Sequence, residues 1–366
     1  MSLDASPLFQ PFTLGDLVVP NRIAMAPLTR NRAAHGTDAP HALNATYYEQ
    51  RASAGLLITE ASQISRQGQG YIWTPGIYTD AQIAGWKGVT DKVHHAGGRI
   101  FIQLWHVGRV SHTSLQANDG APVAPSAIAA KTKTFVASGF ADTSLPRALE
   151  TAEIPGIVAA YAQAAENAKK AGFDGIEIHG ANGYLIDQFM KDGTNHRTDA
   201  YGGSVENRMR FGLEVVDAIA KVFPMNRLGI RLSPVSPAND AVSSEPMAQF
   251  GAFVSELSKR GLAFIHVVEG ATGGARDNVA FDYMALRKAF SGAYIANNGY
   301  TRELAISAVA EGRADMVAFG KAFIANPDLV ERLRVDAPLN VGDRNTFYGG
   351  GAEGYTDYPT LAKVGA

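Results

Sequence analysis

The sequence predicts an α/β chain folded as a (β/α)8 TIM barrel, and three observations predict it. Eight short apolar runs recur along the 366 residues, at 22–26, 55–60, 100–104, 175–179, 228–232, 264–268, 294–296 and 316–319. Amphipathic stretches that read as helices lie among them, at 47–54, 81–96, 157–171, 205–222, 246–260, 284–290 and 303–311. The runs are almost continuously apolar, as expected of strands covered on both faces. Alternating strand and helix implies a parallel sheet. Eight repeats favour closure into a barrel over the alternative, an open doubly wound sheet.

Local signals punctuate these elements. Gly55, Gly97, Gly172, Gly261 and Gly312 follow helical stretches and are expected to be left-handed C-caps. Ser204 is placed to cap the helix that begins at Val205, with Glu206 in its first turn. Three segments stand outside the repeat. Residues 9–20 alternate around Gly15-Asp16 and predict an N-terminal β-hairpin that plugs the bottom of the barrel. Residues 107–150 are long, rich in Ala, Ser, Thr and Pro, and lack a helical period. Following the third strand, they are expected to cap the top as a lid. The stretch 345–359 is rich in Gly and Tyr. No linker composition interrupts the chain, so 1–366 is read as a single domain carrying the 107–150 insertion.

Composition excludes several function classes. A net charge of -2, without blocks of like charge, argues against nucleic acid as a partner. The absence of cysteine excludes disulfides, thiolate metal sites, iron–sulfur clusters and a cysteine nucleophile. The nine histidines show no zinc spacing, so no metal is expected. Residues 1–5 carry no leader pattern and no apolar run reaches membrane-spanning length. A soluble, cytoplasmic chain is expected, monomeric or a small homo-oligomer, acting on a small molecule. Gly349-Gly350-Gly351-Ala352-Glu353-Gly354 matches a dinucleotide fingerprint formally, but it does not open a helix. Gly320-Lys321 is followed by Ala322 where a P-loop needs Ser or Thr. His94, His95 and Trp86 share one helix, the histidines favouring its C-terminal dipole and the indole its core face.

In a barrel of this kind the chemistry sits at the C-terminal ends of the strands. Those ends carry Pro27-Leu28-Thr29-Arg30, Glu60-Ala61, Gln103-Leu104-Trp105-His106, His179 to Tyr184, Arg231, Glu269-Gly270, Asn297-Asn298-Gly299 and Gly320-Lys321. The set is polar, poor in carboxylates and without metal ligands. It suits an organic ligand with hydrogen-bonding edges and a phosphate, which would lie near Gly299, Gly320 and Lys321 at strands seven and eight.

Several of these segments, taken in order, resemble the old yellow enzyme family: Ala26-Pro27-Leu28-Thr29-Arg30, Gln103-Leu104-Trp105-His106-Val107-Gly108-Arg109, His179-Gly180-Ala181-Asn182-Gly183-Tyr184-Leu185, Tyr201-Gly202-Gly203-Ser204-Val205-Glu206-Asn207-Arg208 and Phe319-Gly320-Lys321-Ala322-Phe323. The resemblance spans about 9–359, and the Asn297-to-Tyr300 turn with the tail looks most like the bacterial nitrate-ester and xenobiotic reductase branch, which includes N-ethylmaleimide reductases. It implies an FMN enzyme that takes hydride from NADPH or NADH and reduces activated alkenes, with nitrate esters and nitroaromatics as further oxidants. It also implies roles. Thr29 would bond the flavin near O4 and N5, Gln103 and Arg231 its pyrimidine edge, and Pro27, Leu28 and Ala61 its ring. Asn298, Gly299, Gly320 and Lys321 would hold the phosphate. His179 and Asn182 would grip the substrate oxygen, Tyr184 would donate the proton, and Tyr71, Trp105 and Tyr348 would line the pocket.

Hydride added to a β-carbon puts negative charge on the activating oxygen, so two donors there and a phenol nearby suit the reaction. His179 and Asn182 are three residues apart, and one helical turn after the strand would aim both alike. Lys321 stands where many relatives carry Arg, which keeps the charge but loses the bidentate fork. Two other readings stay open: a flavin-free barrel hydrolase or lyase, and a flavin-binding protein without turnover. The cluster-bearing dienoyl-CoA reductase branch is disfavoured, since it needs cysteines this chain lacks.

Overall fold

The computed structural model describes residues 6–361; the leader reading of residues 1–5 therefore lies outside the described residues. Strands β1 (Phe12–Leu14) and β2 (Leu17–Val19) pair antiparallel. The chain then runs through β3 (Ile23–Met25), α1 (Ala42–Glu49), β4 (Leu56–Gln63), α2 (Asp80–His95) and β5 (Ile100–Trp105). The insertion carries β6 (Val123–Ala124), β7 (Lys133–Val136), β8 (Gly139–Asp142) and β9 (Arg147–Ala148). There follow α3 (Ile154–Lys170), β10 (Gly175–Gly180), α4 (Leu185–Met190), α5 (Val205–Ile219), β11 (Leu228–Leu232) and α6 (Pro246–Arg260). The last units are β12 (Phe264–Val268), α7 (Tyr283–Lys288), β13 (Ala293–Asn297), α8 (Arg302–Ala310), β14 (Met316–Phe319), α9 (Lys321–Ala325) and α10 (Leu329–Val335).

Strands β3, β4, β5 and β10 to β14 close into one barrel in chain order, with β14 pairing β3. Every barrel pair is parallel. The open doubly wound alternative is thereby excluded. Apolar side chains on the outer faces of the strands pack against the helices, as Ile102, Ile178 and Ile230 do with Ala164, Phe211 and Phe253. A second cluster fills the lower barrel, where Leu14, Leu17 and Val19 of the hairpin meet Ile58, Phe101 and Phe264. The plug expected from Gly15-Asp16 is therefore present.

The eight strand runs match the observed strands closely. The first helix does not: it starts at Ala42 rather than Tyr47, because His41 serves as N-cap and Asn44 completes a capping box. Helices α4, α9 and α10 were not read, being too short to show a period. The insertion, expected to be irregular, holds the β7–β8 hairpin. Gly97, Gly172, Gly261 and Gly312 are left-handed as expected, but Gly55 is not. There a Cβ would lie 2.0 Å from the Asn21 carbonyl, so close backbone approach explains the glycine. Ser204 caps α5 by accepting from Asn207 N–H. Trp86 is buried and donates to the Gly76 carbonyl (3.0 Å). His94 meets Asp174 (3.0 Å). Among the described residues no helix is long and apolar enough to cross a membrane.

The plug makes a quantitative demand at Gly15, where φ is +63° and a Cβ would sit 1.9 Å from the Asn226 carbonyl oxygen. Gly15→Ala is expected to lower stability by more than the ~1–2 kcal/mol cost of a left-handed residue. Gly203→Ala, at φ +80° with nothing within 4 Å, supplies that reference. Denaturant midpoints that fall equally for both variants would show that the plug yields without strain.

Candidate active site

A cavity of about 580 Å³ opens at the C-terminal ends of β3, β11, β13 and β14, a volume typical of small-molecule and cofactor sites. Pro27, Leu28 and Thr29 line it from the first strand, and Arg231 from the fifth. Asn298, Gly299, Gly320 and Lys321 line its far end, while Asn182 and Tyr348 stand at its rim. The Thr29 hydroxyl makes no hydrogen bond within the described residues, and Lys321 is exposed without an ion partner there. Asn298 departs from expectation: its amide N–H groups are engaged by the carbonyls of Glu269 (2.7 Å) and Ala271 (2.9 Å), so they hold the loop after β12.

The remaining expected residues form a wall beside this cavity. His179 on β10 is in register with Arg231 on β11. The Trp105 ring lies 6.1 Å from that of His179 and 4.9 Å from that of Tyr184. Tyr71 stacks on Trp105 at 5.7 Å, and its hydroxyl is 3.1 Å from that of Tyr184. Ala61 packs in the same small apolar cluster as Trp105. It follows an irregularity of register between β4 and β5 at residues 58–61, where β4 bends over the barrel end.

Beneath the wall lies a polar layer that sequence reasoning named only in part. Gln103 donates to Glu177 (2.8 Å), Glu177 meets His266 Nδ1 (2.7 Å), and Arg231 donates to Asn297 (2.8 Å). Glu177 and His266 were missed. Their signal was a carboxylate and an imidazole inside otherwise apolar strands, where a charge is retained only with a partner. The Arg231 Nε and the His266 Nε2 are buried and lack partners among the described residues.

Burial holds His179 well below the usual imidazole range, with Arg231 and His266 adding to the effect. The ring is therefore neutral at pH 7. Its Nδ1 accepts from Ala181 N–H (3.4 Å), which leaves the hydrogen on Nε2. Burial raises the Tyr184 hydroxyl above the usual phenol range, so it is protonated and can act as an acid.

The turn that carries these groups is not the helical turn expected. Asn182 is left-handed (φ 58°) and Gly183 follows it (φ 75°), so helix begins only at Leu185. A buried ion pair fixes the turn. Asp187 accepts from Gly183 N–H (2.8 Å) and pairs with Lys191 (2.9 Å), both side chains fully buried. Lys191 also donates to the carbonyls of Ser233 (3.0 Å) and Ser236 (3.1 Å) on the loop after β11. That loop returns the contact: Ser233 Oγ accepts from Asn182 N–H (2.7 Å), and Asn239 donates to the Asn182 carbonyl (2.8 Å). Thr272 donates to the Asn182 side-chain oxygen (2.8 Å), which turns the NH2 of that amide away to act as a donor.

The glycine-rich tail closes the other side. Arg30 donates to the carbonyls of Phe347 and Gly354 (both 2.8 Å), and Arg32 to those of Thr346 (2.8 Å) and Gly351 (3.0 Å). The 349–354 segment thus presents carbonyl oxygens to guanidinium groups, the opposite of a phosphate-binding loop, and its rejection as a dinucleotide fingerprint holds. Tyr355 stacks on Tyr47 at 4.1 Å beneath Arg30. Glu60 accepts from Arg30 N–H (3.2 Å), and its second oxygen is buried without a partner.

The fold and the cavity at its strand ends fit a class: a barrel oxidoreductase with a phosphate-bearing aromatic cofactor. Over residues 7–340 the chain matches the NADH:flavin oxidoreductase / NADH oxidase family. It is 48% identical to 12-oxophytodienoate reductase 1 of Oryza sativa subsp. japonica, covering 98% of this chain and 94% of that protein. Identity to 12-oxophytodienoate reductase 2 of Arabidopsis thaliana is 45%, over 97% and 96%. Among solved structures, morphinone reductase superposes with a TM-score of 0.93 at 50% identity, over 99% and 98% of the two chains. The old yellow enzyme homologue from Zymomonas mobilis gives 0.94 at 43%, over 97% and 99%. The chain belongs to the old yellow enzyme family: it is an FMN-dependent NAD(P)H oxidoreductase that reduces activated C=C bonds.

Two predictions follow the electrostatics. Lys191→Met leaves the Asp187 charge buried and unpaired, and is expected to cost about 3–5 kcal/mol in denaturant unfolding; a cost below 1 kcal/mol would show that the turn is held otherwise. Burial pushes Glu60 up from 4.5 to about 7. The folded state therefore binds that proton more tightly than the unfolded chain. Its stabilising effect is present below about 4.5, declines as pH rises, and is gone above about 7, a loss of about 3 kcal/mol. Glu60→Gln is expected to gain stability relative to the parent between pH 5 and pH 8. An equal difference at both values would disprove the shift.

Proposed function

We propose that His179, Asn182 and Tyr184 form the substrate half of the ene-reductase site. The observation that carries this is the neutral His179 with its hydrogen on Nε2, in ring contact with a protonated Tyr184 (4.9 Å). The Nε2–H and the Asn182 amide donate to the carbonyl or nitro oxygen of the oxidant, where charge builds as hydride arrives. Tyr184 then protonates the α-carbon. Tyr71, Trp105 and Tyr348 wall the pocket, and residues 107–150 act as its lid over a single domain. Enones, enals, maleimides and nitroalkenes fit this donor pair. Nitrate esters and nitroaromatics fit as further oxidants, since a nitro oxygen meets the same two donors.

The residues present also suit FMN. Thr29, Gln103 and Arg231 are placed for its polar edge, and the unpartnered Arg231 Nε is a donor that a flavin acceptor would satisfy. Pro27, Leu28 and Ala61 would meet the ring; Gly299, Gly320, Lys321 and the backbone of Asn298 would hold the phosphate. Bound FMN supplies the hydride chemistry, accepting from NADPH or NADH and giving to the electron-poor carbon. A flavin-free hydrolase would need paired carboxylates or a cluster of metal-ligating side chains at the strand ends; no carboxylate lines the cavity, and the described residues hold no group of three His, Asp or Glu able to bind a metal. We place the enzyme in the cytoplasm as a monomer or small homo-oligomer, in keeping with its lack of cysteine and its mild net charge.

An anaerobic visible spectrum tests the reading first. Flavin absorbance is expected to bleach with NADPH and return with 2-cyclohexenone. Tyr184→Phe is expected to slow that return by about 10²-fold while bleaching stays near normal; equal loss of both half-reactions would remove Tyr184 as proton donor. Lys321→Ala is expected to weaken FMN retention about tenfold, read by fluorescence of released flavin. Unchanged retention would place the phosphate elsewhere.

A further inference from the structure

The Tyr184 hydroxyl has a companion. The Tyr71 hydroxyl lies 3.1 Å away, the separation of a hydrogen bond in which either phenol can donate. One indole orients both rings: Trp105 stacks on Tyr71 (17° between planes) and meets Tyr184 edge-on (82°). The backbone of Tyr71 is also fixed. Its carbonyl accepts from Thr74 Oγ1 (2.8 Å) and from the Gln69 amide (3.2 Å). The β7–β8 hairpin brackets it further, since Thr134 donates to the Gly70 carbonyl and Ile72 N–H donates to the Phe135 carbonyl (2.9 Å). That is more restraint than a pocket wall needs.

We propose that Tyr71 is a positioning residue for the protonation step: it donates a hydrogen bond to the Tyr184 oxygen, aims the Tyr184 hydrogen at the substrate, and holds that oxygen as its proton leaves. The inference rests on the donor role assigned to Tyr184 above. A phenol has a single hydrogen. While Tyr184 accepts from Tyr71, its own hydrogen is free to point at the α-carbon. On transfer, a C–H bond forms and the Tyr184 O–H bond breaks. Tyr71 keeps donating to that oxygen while it carries charge, and water then returns a proton to Tyr184.

The surroundings favour that direction. Burial opposes a phenolate at either ring, but the hydrogen bond from Tyr71 lowers the Tyr184 hydroxyl, and the Asn239 side chain and Arg231 act in the same sense. Burial raises Tyr71, and its bond to Tyr184 raises it further, so Tyr71 keeps its hydrogen and remains the donor of the pair. Both rings are only partly buried by surface area. Tyr348, 60% exposed, lies close enough to both to influence their ionisation.

The test is a double-mutant cycle on the reduced holoenzyme, mixed anaerobically with 2-cyclohexenone in single turnover. Tyr71→Phe keeps the stack on Trp105 and removes only the hydroxyl. It is expected to slow flavin reoxidation about three- to tenfold in the parent, with the enone dissociation constant within about twofold. In the Tyr184→Phe background the same change is expected to alter the rate by less than about twofold. Rates in H2O/D2O mixtures should vary linearly with deuterium content in the parent and in Tyr71→Phe, because one proton moves in each; a bowed plot in the parent would overturn the assignment. An equal loss in both backgrounds, a loss confined to enone binding, or no loss in the parent would overturn the proposal. A Tyr184→Phe enzyme as fast as the parent would instead remove the donor role itself, and this inference with it.

Discussion

The site depends on one buried ion pair. Asp187 and Lys191 sit a helical turn apart on and just beyond α4, with neither side chain exposed. Such pairs gain little net stability over an apolar replacement, because desolvation offsets the attraction. Their value here is geometric. Asp187 fixes the backbone of Gly183, and Lys191 gathers carbonyls from the loop after β11. Two neighbouring strand ends are thereby tied together at the point where Asn182 turns left-handed. His179 and Tyr184 lie at the two ends of a six-residue segment, and their rings meet at 4.9 Å across the turn that Asn182 and Gly183 make.

A second constraint comes from below. Barrel interiors are ordinarily filled by branched apolar side chains. Here Gln103, Glu177 and His266 form a hydrogen-bonded chain across three strands, with Arg231 alongside. The plugging hairpin completes an apolar lower barrel, so the polar layer is pushed to the upper end. Arg231 and His266 also help to keep His179 neutral. A neutral imidazole whose Nδ1 is engaged can donate through Nε2 without carrying a charge.

Most of the fold was legible because it is repetitive. Each strand run is apolar and bounded, so all eight could be located even though α4, α9 and α10 are too short to announce themselves. Site residues at strand ends, such as Thr29, Arg231 and Lys321, were legible from position alone, and the family resemblance assigned their roles. What was not legible depends on contacts between distant segments. Nothing local in Lys191 says that it reaches Ser233, nor in Asn298 that its amide turns back to Glu269. The left-handed Asn182 was hidden for the same reason, since a lone Asn-Gly allows such a turn without requiring it. Glu177 and His266 were visible as oddities in apolar strands, but their pairing required knowing that their strands both neighbour β11.

The tail has a consequence for the order in which the enzyme can be assembled. The loop after β3 is among the first parts of the barrel to be synthesised. Yet Arg30 and Arg32 find their carbonyl partners at residues 346–354, near the end of the chain. Strand β3 likewise waits for β14 to close the ring. Contacts of such long sequence separation form slowly. A nascent chain that has reached only the end of β14 would carry all eight barrel strands while its two guanidinium groups lack these carbonyl partners. The residues that shape one wall of the site are thus secured by a segment that follows all eight barrel strands.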